Sequence, residues 1–367
     1  MLGHKKLKIQ ALTEGMILAD DVVLANGTTI LTKNSVLQAS DINNLKRFNI
    51  EKVNVYDLYA NIASSTPTEN IVKLSIVDEN NKPVRERKSF KEFSQSYETK
   101  VEEMKGNFLA IGQGEAIQES KLLDSTKEML DKVYIKNDII NFIHHLKEND
   151  DHTYHHCVNV SLLCNLVGTW AGFNETELKN VTLAGLLHDI GKTYIDQNVL
   201  NKPGRLTDEE YEEIKKHPLY GYKVLVPQNI ATEVKLAVLM HHEKIDGTGY
   251  PLGADISKIG KISKIVTICD IYDAMTSNRC YHRKRCPFDV IKMFEDDCFG
   301  KLDTEYLMLF LKNIANTFLN NEVVLSDEQR GKIVFINTKE PSKPIVRTEF
   351  GFVDLMYDRD IIIKEVV

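Results

Sequence analysis

The stretch GLLHDIGKTYI, residues 185–195, places His188 and Asp189 at the end of a run that is otherwise apolar. Burying a charged group among apolar residues is costly unless a partner compensates the charge. The apolar residues before the pair predict a helix held in the core. The rest of the chain must therefore supply partners for these two side chains.

Composition limits the classes of function that the chain can have. Its 367 residues exceed what one hydrophobic core usually serves, so we expect two or three domains. The formal net charge of -7 argues against a protein that binds polymeric nucleic acid, which normally presents a basic face. No apolar run approaches the ~20 residues of a membrane span. Six cysteines without a CxxC pair favour a reduced, cytoplasmic setting.

Periodicity along the chain predicts a mainly α protein with a small unit at each end. Residues 1–61 read as a small α+β unit, with Asn26-Gly27 as a hairpin turn between two β-rich runs. Residues 62–117 read as a linker and a connecting helix. Residues 118–318 repeat apolar residues three and four apart, which predicts a helical bundle. Short β-rich runs predict a small β-rich unit over 319–367.

Two local patterns in the helical part make specific predictions. His156 shares a helical stripe with Val160, Leu163 and Val167, so its side chain is expected to face inward. In LTDEEYEEIKKHP, Thr207 has the spacing of a capping box with a glutamate three residues later. That helix is expected to continue to the proline at position 218.

Histidines are concentrated in one part of the chain. Nine of the eleven lie between His144 and His242. Several of them, with two aspartates, sit on or at the edge of apolar helical runs. Imidazole and carboxylate groups together suit Fe, Mn, Zn or Co. The candidate metal ligands are His156, His188, Asp189, His217, His241, His242 and Asp270.

These residues predict two metal ions joined by a carboxylate. Neighbouring helical residues diverge by ~100°, so the two members of an HH pair cannot easily share an ion. A carboxylate can bridge two ions with its two oxygens. The most economical arrangement has Asp189 as the bridge. One ion then lies near His156, His188 and Asp270, and the other near His217, His241 and His242. Two ions ~3.5–4 Å apart are a common device for phosphoester hydrolysis.

A purely structural role is the alternative interpretation of these side chains. A single inward histidine is more often a satisfied core residue than a ligand. Seven such groups on successive apolar helices, with no cysteine framework, favour a metal centre. The loop HHEKIDGTGYP, residues 241–251, adds glycines and an aromatic residue beside two of them. Taken alone, that loop would be read as a tight turn with an exposed tyrosine.

The motifs together identify a family. HDIGK (188–192) followed by HHEKIDGTGYP resembles the HD-GYP phosphodiesterases, a branch of the HD metallohydrolases. The resemblance continues through DHTYHHCVNVS and CDIYDAMTSNRCY and covers roughly residues 120–318. It implies an HD-type helical bundle as the catalytic domain of an enzyme of bacterial second messenger signalling. The implied activity is hydrolysis of cyclic di-GMP to pGpG, GMP or both, with a metal-bridging hydroxide as the nucleophile.

The resemblance also assigns roles by position. The seven candidate ligands match the family's metal-ligand positions, and Asp189 and Lys192 match its catalytic positions. Lys192 corresponds to the lysine that contacts the scissile phosphate. The implied substrate-binding residues are Lys192, Asp246, Gly247, Gly249, Tyr250, Pro251 and Arg279.

Two departures from the family pattern leave alternatives open. Some members place a glutamate, used for a third metal, where this chain has His152. Because a histidine can also ligate a metal, a third ion held by His152 is an alternative to the two ions, Fe or Mn, that we predict. The family often reads RPYR where this chain has RCYH (279–282). Hydrolysis of another cyclic dinucleotide, such as cyclic GMP-AMP, and a non-catalytic receptor or scaffold for cyclic di-GMP are the alternative functions. We expect the terminal units to transmit regulation through a signalling partner or to form a homodimer.

Overall fold

The computed structural model describes residues 4–12, 16–24, 29–33, 35, 37, 39–48, 50–56, 84–133, 138–146, 152–202, 204–277 and 284–367. Within these ranges the chain is mostly helical, as predicted, with a small unit that contains strands at each end. None of the described helices combines the length and hydropathy needed to cross a membrane. The boundaries predicted for the domains stay predictions.

The N-terminal unit has strands, a helix and a core of its own. β1 (His4–Lys8) pairs antiparallel with β4 (Lys52–Tyr56), and β2 (Val22–Val23) pairs antiparallel with β3 (Thr29–Leu31). Helix α1 (Ala39–Arg47) packs beside them. The predicted Asn26-Gly27 turn falls outside the described residues. The core of this unit consists of Ile9, Leu12, Leu18, Val22, Leu37, Ile42, Leu45, Val53 and Val55.

The central part of the chain is a bundle of helices. A long connecting helix, α2 (Lys88–Gly112), leads into it. The helices that follow are α3 (Glu119–Lys132), α4 (Asp138–His145), α5 (His152–Trp170), α6 (Glu175–Leu187), α7 (Gln197–Leu200), α8 (Asp208–Ile214), α9 (His217–Leu225), α10 (Thr232–Met240), α11 (Lys261–Thr276), α12 (Pro287–Asp297) and α13 (Thr304–Asn316).

Helix α5 lies at the centre of this bundle. It packs against α2, α6, α11 and α13. His156 faces inward as predicted and is 6% exposed. Val160, Leu163 and Val167 on the predicted stripe are buried, and residues off the stripe, such as Val158 and Leu162, are buried too. A helix surrounded by other helices is apolar on nearly all sides.

The helix predicted from Thr207 to Pro218 is shorter than expected. Thr207 and Glu210 form the predicted capping box, and α8 begins at Asp208. It ends at Ile214, and Pro218 lies in the first turn of the next helix, α9. Proline is well tolerated in a first turn, because its missing N–H has no partner there in any case. The break brings His217 to the start of a helix.

A small sheet follows the helices, as predicted. Its strands are β5 (Glu322–Leu325), β6 (Arg330–Phe335), β7 (Ile345–Thr348), β8 (Gly351–Asp354) and β9 (Ile363–Val366). They are antiparallel and lie in the order β8-β7-β6-β5-β9. Val323, Ile333 and Val346 belong to the same core cluster as the helices. The sheet therefore stabilises the bundle by sharing its core.

Candidate metal centre

His156 reaches the centre from α5 and is oriented by a carboxylate behind it. Its Nδ1 donates to Oδ2 of Asp273 on α11, at 2.6 Å. Asp273 is 1% exposed, so this hydrogen bond forms in a dry environment. A carboxylate behind an imidazole fixes its ring and raises the basicity of the opposite nitrogen. Nε2 of His156 is thereby directed at the centre.

The HD pair lies where one helix ends and another begins. Helix α6 ends at Leu187, and His188 donates from Nδ1 to the carbonyl of Gly185 at 2.8 Å. Asp189 precedes a short 3-10 helix, Ile190–Tyr194. A Cβ on Gly191 would lie 1.9 Å from the carbonyl oxygen of His217, so only glycine permits this close approach to α9. The two segments are thus held in contact beside Asp189.

Two further histidines are oriented by the same device as His188. His217 donates from Nδ1 to the carbonyl of Ile214 at 2.7 Å. His241 donates from Nδ1 to the carbonyl of Val238 at 2.8 Å. In a neutral imidazole that donates from Nδ1, the Nε2 atom carries a lone pair. These hydrogen bonds to the backbone therefore leave Nε2 of each ring as the atom that can bind a metal.

The Nε2 atoms that these hydrogen bonds direct at the centre lie in two groups. Nε2 of His156 lies 3.2 Å from Nε2 of His188, and Nε2 of His217 lies 3.2 Å from Nε2 of His241. Two lone pairs at this distance repel unless a cation lies between them. Two nitrogens bound to one ion at ~2.1 Å and at right angles would be ~3 Å apart. The spacing in each group fits a shared divalent ion.

Asp189 lies between the two groups and faces both. Its Oδ2 is 3.4 Å from Nε2 of His188, and its Oδ1 is 3.3 Å from Nε2 of His217. Oδ1 is buried and accepts no hydrogen bond from the described residues. A buried carboxylate oxygen without a donor needs a cation. Burial would raise the pKa of Asp189, but the Lys192 ammonium and the nearby imidazoles hold it well below its usual range.

Asp270 also faces both groups, which the sequence did not indicate. Its Oδ1 is 3.0 Å from Nε2 of His156, and its Oδ2 is 3.6 Å from Nδ1 of His242. Burial would raise the pKa of Asp270, but the interactions with these imidazoles keep it well below its usual range. Asp270 is therefore charged, and it lies beside both groups rather than beside one.

His241 and His242 lie in the same group although they are neighbours in sequence. Helix α10 ends at Met240, so the two residues leave the helical path and their rings lie 4.1 Å apart. The sequence placed both residues near the same ion, and the structure brings their rings into one group with His217. Burial lowers the pKa of His242 to about 3 and that of His241 well below its usual range. Both imidazoles are neutral, as metal ligands must be.

Three sets of described side chains have the spacing needed to hold a metal ion. They are His217 with His241 and His242, His156 with His188 and Asp270, and His188 with Asp189 and His241. The first two sets match the partition predicted from the sequence. A group of neutral imidazoles and charged carboxylates suits borderline divalent metals. The donor set, the converging lone pairs and the unpaired oxygen of Asp189 all fit two ions.

Lys192 lies at the edge of the centre. Its Nζ is 2.6 Å from Oδ2 of Asp189, and its side chain is 19% exposed. The 3-10 helix that carries Lys192 places it one turn after His188. An ammonium in this position borders both the bridging carboxylate and the solvent, where an anionic substrate would approach.

The loop HHEKIDGTGYP, residues 241–251, which we call the GYP loop, covers one side of the centre. The Tyr250 ring stacks on His242, with ring centres 4.6 Å apart and an angle of 29° between planes. Gly249 passes so close to the preceding turn that a Cβ would lie 2.4 Å from the backbone nitrogen of Lys244. Glu243 is 2% exposed and accepts hydrogen bonds from the backbone N–H of Leu252 and Ala254. This buried carboxylate ties the two ends of the loop together.

The remaining residues predicted to bind substrate or metal either lie further from the centre or fall outside the described residues. Asp246 is exposed, and its Oδ1 accepts from both the N–H and the hydroxyl of Thr248, so its visible role is to shape the turn. Gly247 adopts a φ of 75°, and Pro251 follows a cis peptide bond. The side chain of His152 and the whole of Arg279 lie outside the described residues.

Sequence reasoning missed two buried carboxylates that shape the centre. Asp273 follows Asp270 by three positions on α11, so both project from one face of that helix. That spacing could have indicated its role. Glu243 follows the HH pair directly, and its burial depends on the loop folding back over it, which the sequence does not reveal.

Comparison with known proteins agrees with the motifs. Residues 120–298 match the HD domain family. A cyclic di-GMP phosphodiesterase of Pseudomonas aeruginosa is 33% identical over 203 residues, which cover 55% of this chain and 49% of that protein. A cyclic di-GMP phosphodiesterase of Borreliella burgdorferi is 32% identical over 196 residues, 53% of this chain and 52% of that protein.

A third relative has a different substrate in its name. A 3'3'-cGAMP-specific phosphodiesterase of Vibrio cholerae is 29% identical over 177 residues, 48% of this chain and 38% of that protein. The chain thus spans about half the length, or less, of these curated relatives. The residues that match the HD domain family, 120–298, carry the histidines and aspartates of the centre. The same segment, residues 120–298, contains both HDIGK and HHEKIDGTGYP.

Proposed function

We propose that this chain is a metal-dependent phosphodiesterase that hydrolyses cyclic di-GMP to pGpG, GMP or both. The observation that carries the proposal is the position of Asp189, whose two oxygens face two separate groups of imidazole nitrogens. A carboxylate in this position can hold two divalent ions close together, which is the device that two-ion phosphoester hydrolysis uses. The names of the relatives support cyclic di-GMP as the substrate.

We propose that His156, His188 and Asp270 hold one ion and that His217, His241 and His242 hold the other, with Asp189 between them. When bound, divalent ions supply Lewis acidity toward phosphoryl oxygens and lower the pKa of water. Mixed imidazole and carboxylate ligands support Fe or Mn as the metal. The chain's own contribution is to keep the imidazoles of His241 and His242 neutral and the carboxylates of Asp189 and Asp270 charged at neutral pH.

The proposed role of Lys192 is to bind the phosphate under attack. Its ammonium lies beside Asp189 and is partly exposed, so a phosphate oxygen can reach it from solvent. A fixed positive charge next to a phosphoryl group stabilises the negative charge that develops in the transition state. Arg279 is proposed as a second phosphate contact on the strength of its motif alone.

The GYP loop is proposed to hold a base of the substrate. Tyr250 presents a flat ring next to His242, and Gly249 and Glu243 fix the loop that carries it. Aromatic faces bind nucleobases by stacking, which contributes ~1–3 kcal/mol per base. The phosphate at the ions and the base at Tyr250 would then be bound by adjacent parts of one site.

The setting of the protein is also a proposal. Five cysteines among the described residues are free, and four of them are buried, which supports a reduced, cytoplasmic compartment. The separate core of the N-terminal unit supports a regulatory role for it, through a signalling partner or a homodimer.

A second candidate function is hydrolysis of cyclic GMP-AMP, which the Vibrio cholerae relative favours.

The test incubates metal-loaded protein with cyclic di-GMP, cyclic GMP-AMP and cyclic di-AMP and identifies the products by chromatography. The proposal expects pGpG or GMP from cyclic di-GMP at the highest kcat/KM. Faster hydrolysis of cyclic GMP-AMP would favour the second candidate. Binding of cyclic di-GMP without turnover would instead assign the chain as a receptor.

A further inference from the structure

A lysine and a tyrosine from α8 and its end border the GYP loop. Nζ of Lys215 lies 5.8 Å from the centre of the Tyr250 ring and 5.6 Å from the centre of the Tyr211 ring. Tyr211 is 51% exposed, and the Lys215 side chain is 27% exposed. The ammonium therefore lies over the faces of two tyrosines, and both it and Tyr211 remain accessible to a ligand.

This group continues directly from the candidate metal centre. Tyr250 stacks on His242, whose side chain is 23% exposed, so the row runs from the centre outward in the order His242, Tyr250, Lys215, Tyr211. Helix α8 ends at Ile214, and this ending brings Lys215 beside the loop. Neither Lys215 nor Tyr211 belongs to the motifs that identify the family.

The ammonium of Lys215 has more N–H donors than its ion pair needs. It pairs with Oε1 of Glu212 at 2.6 Å, but the Glu212 side chain is 63% exposed. An ion pair with such an exposed partner contributes little. An ammonium has three N–H donors, and one is enough for this pair. The next residue, Lys216, is directed elsewhere, to Glu213 at 2.6 Å.

We infer that Tyr211 and Lys215 form a base-recognition edge that makes the site select guanine over adenine. This inference rests on the proposed function, because it places one base of a cyclic dinucleotide against the row that starts at His242. Guanine offers two acceptors, O6 and N7, on one edge, and a lysine ammonium donates to both. Adenine keeps N7 but has an amino group in place of O6, so it offers the ammonium one acceptor instead of two. The exposed ring of Tyr211 binds either base by stacking.

The two residues therefore have separable effects. Lys215→Met removes the donors and keeps an unbranched side chain. It is expected to weaken binding of the guanine dinucleotide about tenfold and that of the adenine dinucleotide much less, so the preference for guanine is lost. Lys215→Arg is expected to keep the preference, because a guanidinium also donates to O6 and N7. Tyr211→Ala is expected to weaken both dinucleotides alike.

The test measures Kd for phosphorothioate analogues of cyclic di-GMP and cyclic di-AMP, which resist hydrolysis, on the metal-loaded full chain. Lys216→Met is the matched control, since its ammonium faces Glu213, and its ratio of the two Kd values is expected to equal that of the wild type. Circular dichroism and melting temperature check that each variant folds.

The possible results separate the inference from the function on which it rests. A preference for guanine that Lys215→Met abolishes and Lys215→Arg keeps supports the inference, even if the wild type hydrolyses neither dinucleotide and the proposed function fails. A wild type without preference, or a Lys215→Met variant that loses both ligands equally or neither, overturns the inference. A wild type that binds neither analogue contradicts both proposals.

Discussion

Nδ1 of His156 donates to Oδ2 of Asp273 at 2.6 Å, across the contact between α5 and α11. The same imidazole presents Nε2 to Asp270, which lies one turn before Asp273 on α11. The two carboxylates thus lie on opposite sides of one ring. This relationship fixes the ring plane of His156 and couples the packing of two central helices to the geometry of the candidate metal centre.

Asp273→Asn is expected to lower the affinity for Mn²⁺ about 10- to 100-fold without unfolding the chain. The amide keeps the size of the side chain but loses the charge that orients His156 and raises its basicity. Titration with Mn²⁺ measures the affinity. Asp296→Asn on α12 is the control, because that carboxylate is 54% exposed and pairs only with Lys292 among the described contacts. Equal Mn²⁺ affinities in the two variants would show that Asp273 does not affect metal binding.

Gly191→Ala is expected to destabilise the chain by roughly 2 kcal/mol or more and to reduce its metal content. The added Cβ would lie 1.9 Å from the carbonyl of His217, and backbone atoms there must move to accept it. Urea unfolding and metal analysis measure the two effects. Gly106→Ala is the control: nothing lies within 4 Å of its Cβ, and on α2 it should raise stability by ~1 kcal/mol. A Gly191→Ala variant as stable as the wild type would contradict the close packing at Asp189.

Glu243→Gln is expected to raise KM for cyclic di-GMP about tenfold with a much smaller change in kcat. The buried carboxylate accepts from Leu252 and Ala254, and an amide offers one acceptor and places N–H groups against the other donor. The loop that carries Tyr250 then loses its fixed position, whereas the metal content stays the same. Steady-state kinetics test this expectation, with the exposed Glu328→Gln as control. A fall in kcat with unchanged KM would show that Glu243 acts on the chemistry instead.

Lys100 makes stability depend on pH. It is fully buried on α2, and burial lowers its pKa from 10.5 to about 8. Between pH 8 and 10.5 the native state has lost this proton while the unfolded state still binds it, so the free energy of unfolding rises with pH. The rise amounts to roughly 3 kcal/mol at most.

Lys100→Met is expected to abolish this rise of the free energy of unfolding with pH and to be more stable than the wild type at pH 7. Denaturant unfolding at pH 7, 8, 9 and 10 measures the free energy of unfolding, and Lys127→Met, at an exposed position on α3, provides the comparison. The same pH slope in Lys100→Met as in Lys127→Met would mean that the ammonium of Lys100 is not desolvated.

Much of the architecture follows from patterns in the sequence. The 3.6-residue period predicts the helical bundle, the capping box at Thr207 predicts where α8 begins, and the β-rich runs after residue 319 predict the C-terminal sheet. The partition of the candidate ligands into two sets also follows, because histidines on successive buried helices must meet in the core. Their assignment as ligands remains a proposal.

What the sequence did not predict depends on where helices end. Lys215 reaches Tyr250 because α8 stops at Ile214, and the rings of the neighbours His241 and His242 come together where α10 stops at Met240. Neither ending has a glycine or proline at the helix end to mark it. The buried role of Glu243 depends on a loop that folds back over it, and that is a tertiary property that a local pattern does not contain.

The most direct measurement combines metal content with turnover in the wild type and in His188→Ala, after anaerobic purification. The account predicts about two divalent ions per wild-type chain, as a bridged two-ion site requires, and hydrolysis of cyclic di-GMP. It predicts fewer ions and loss of hydrolysis in His188→Ala, because Nε2 of His188 faces both Asp189 and His156. Unchanged turnover in His188→Ala would contradict the account.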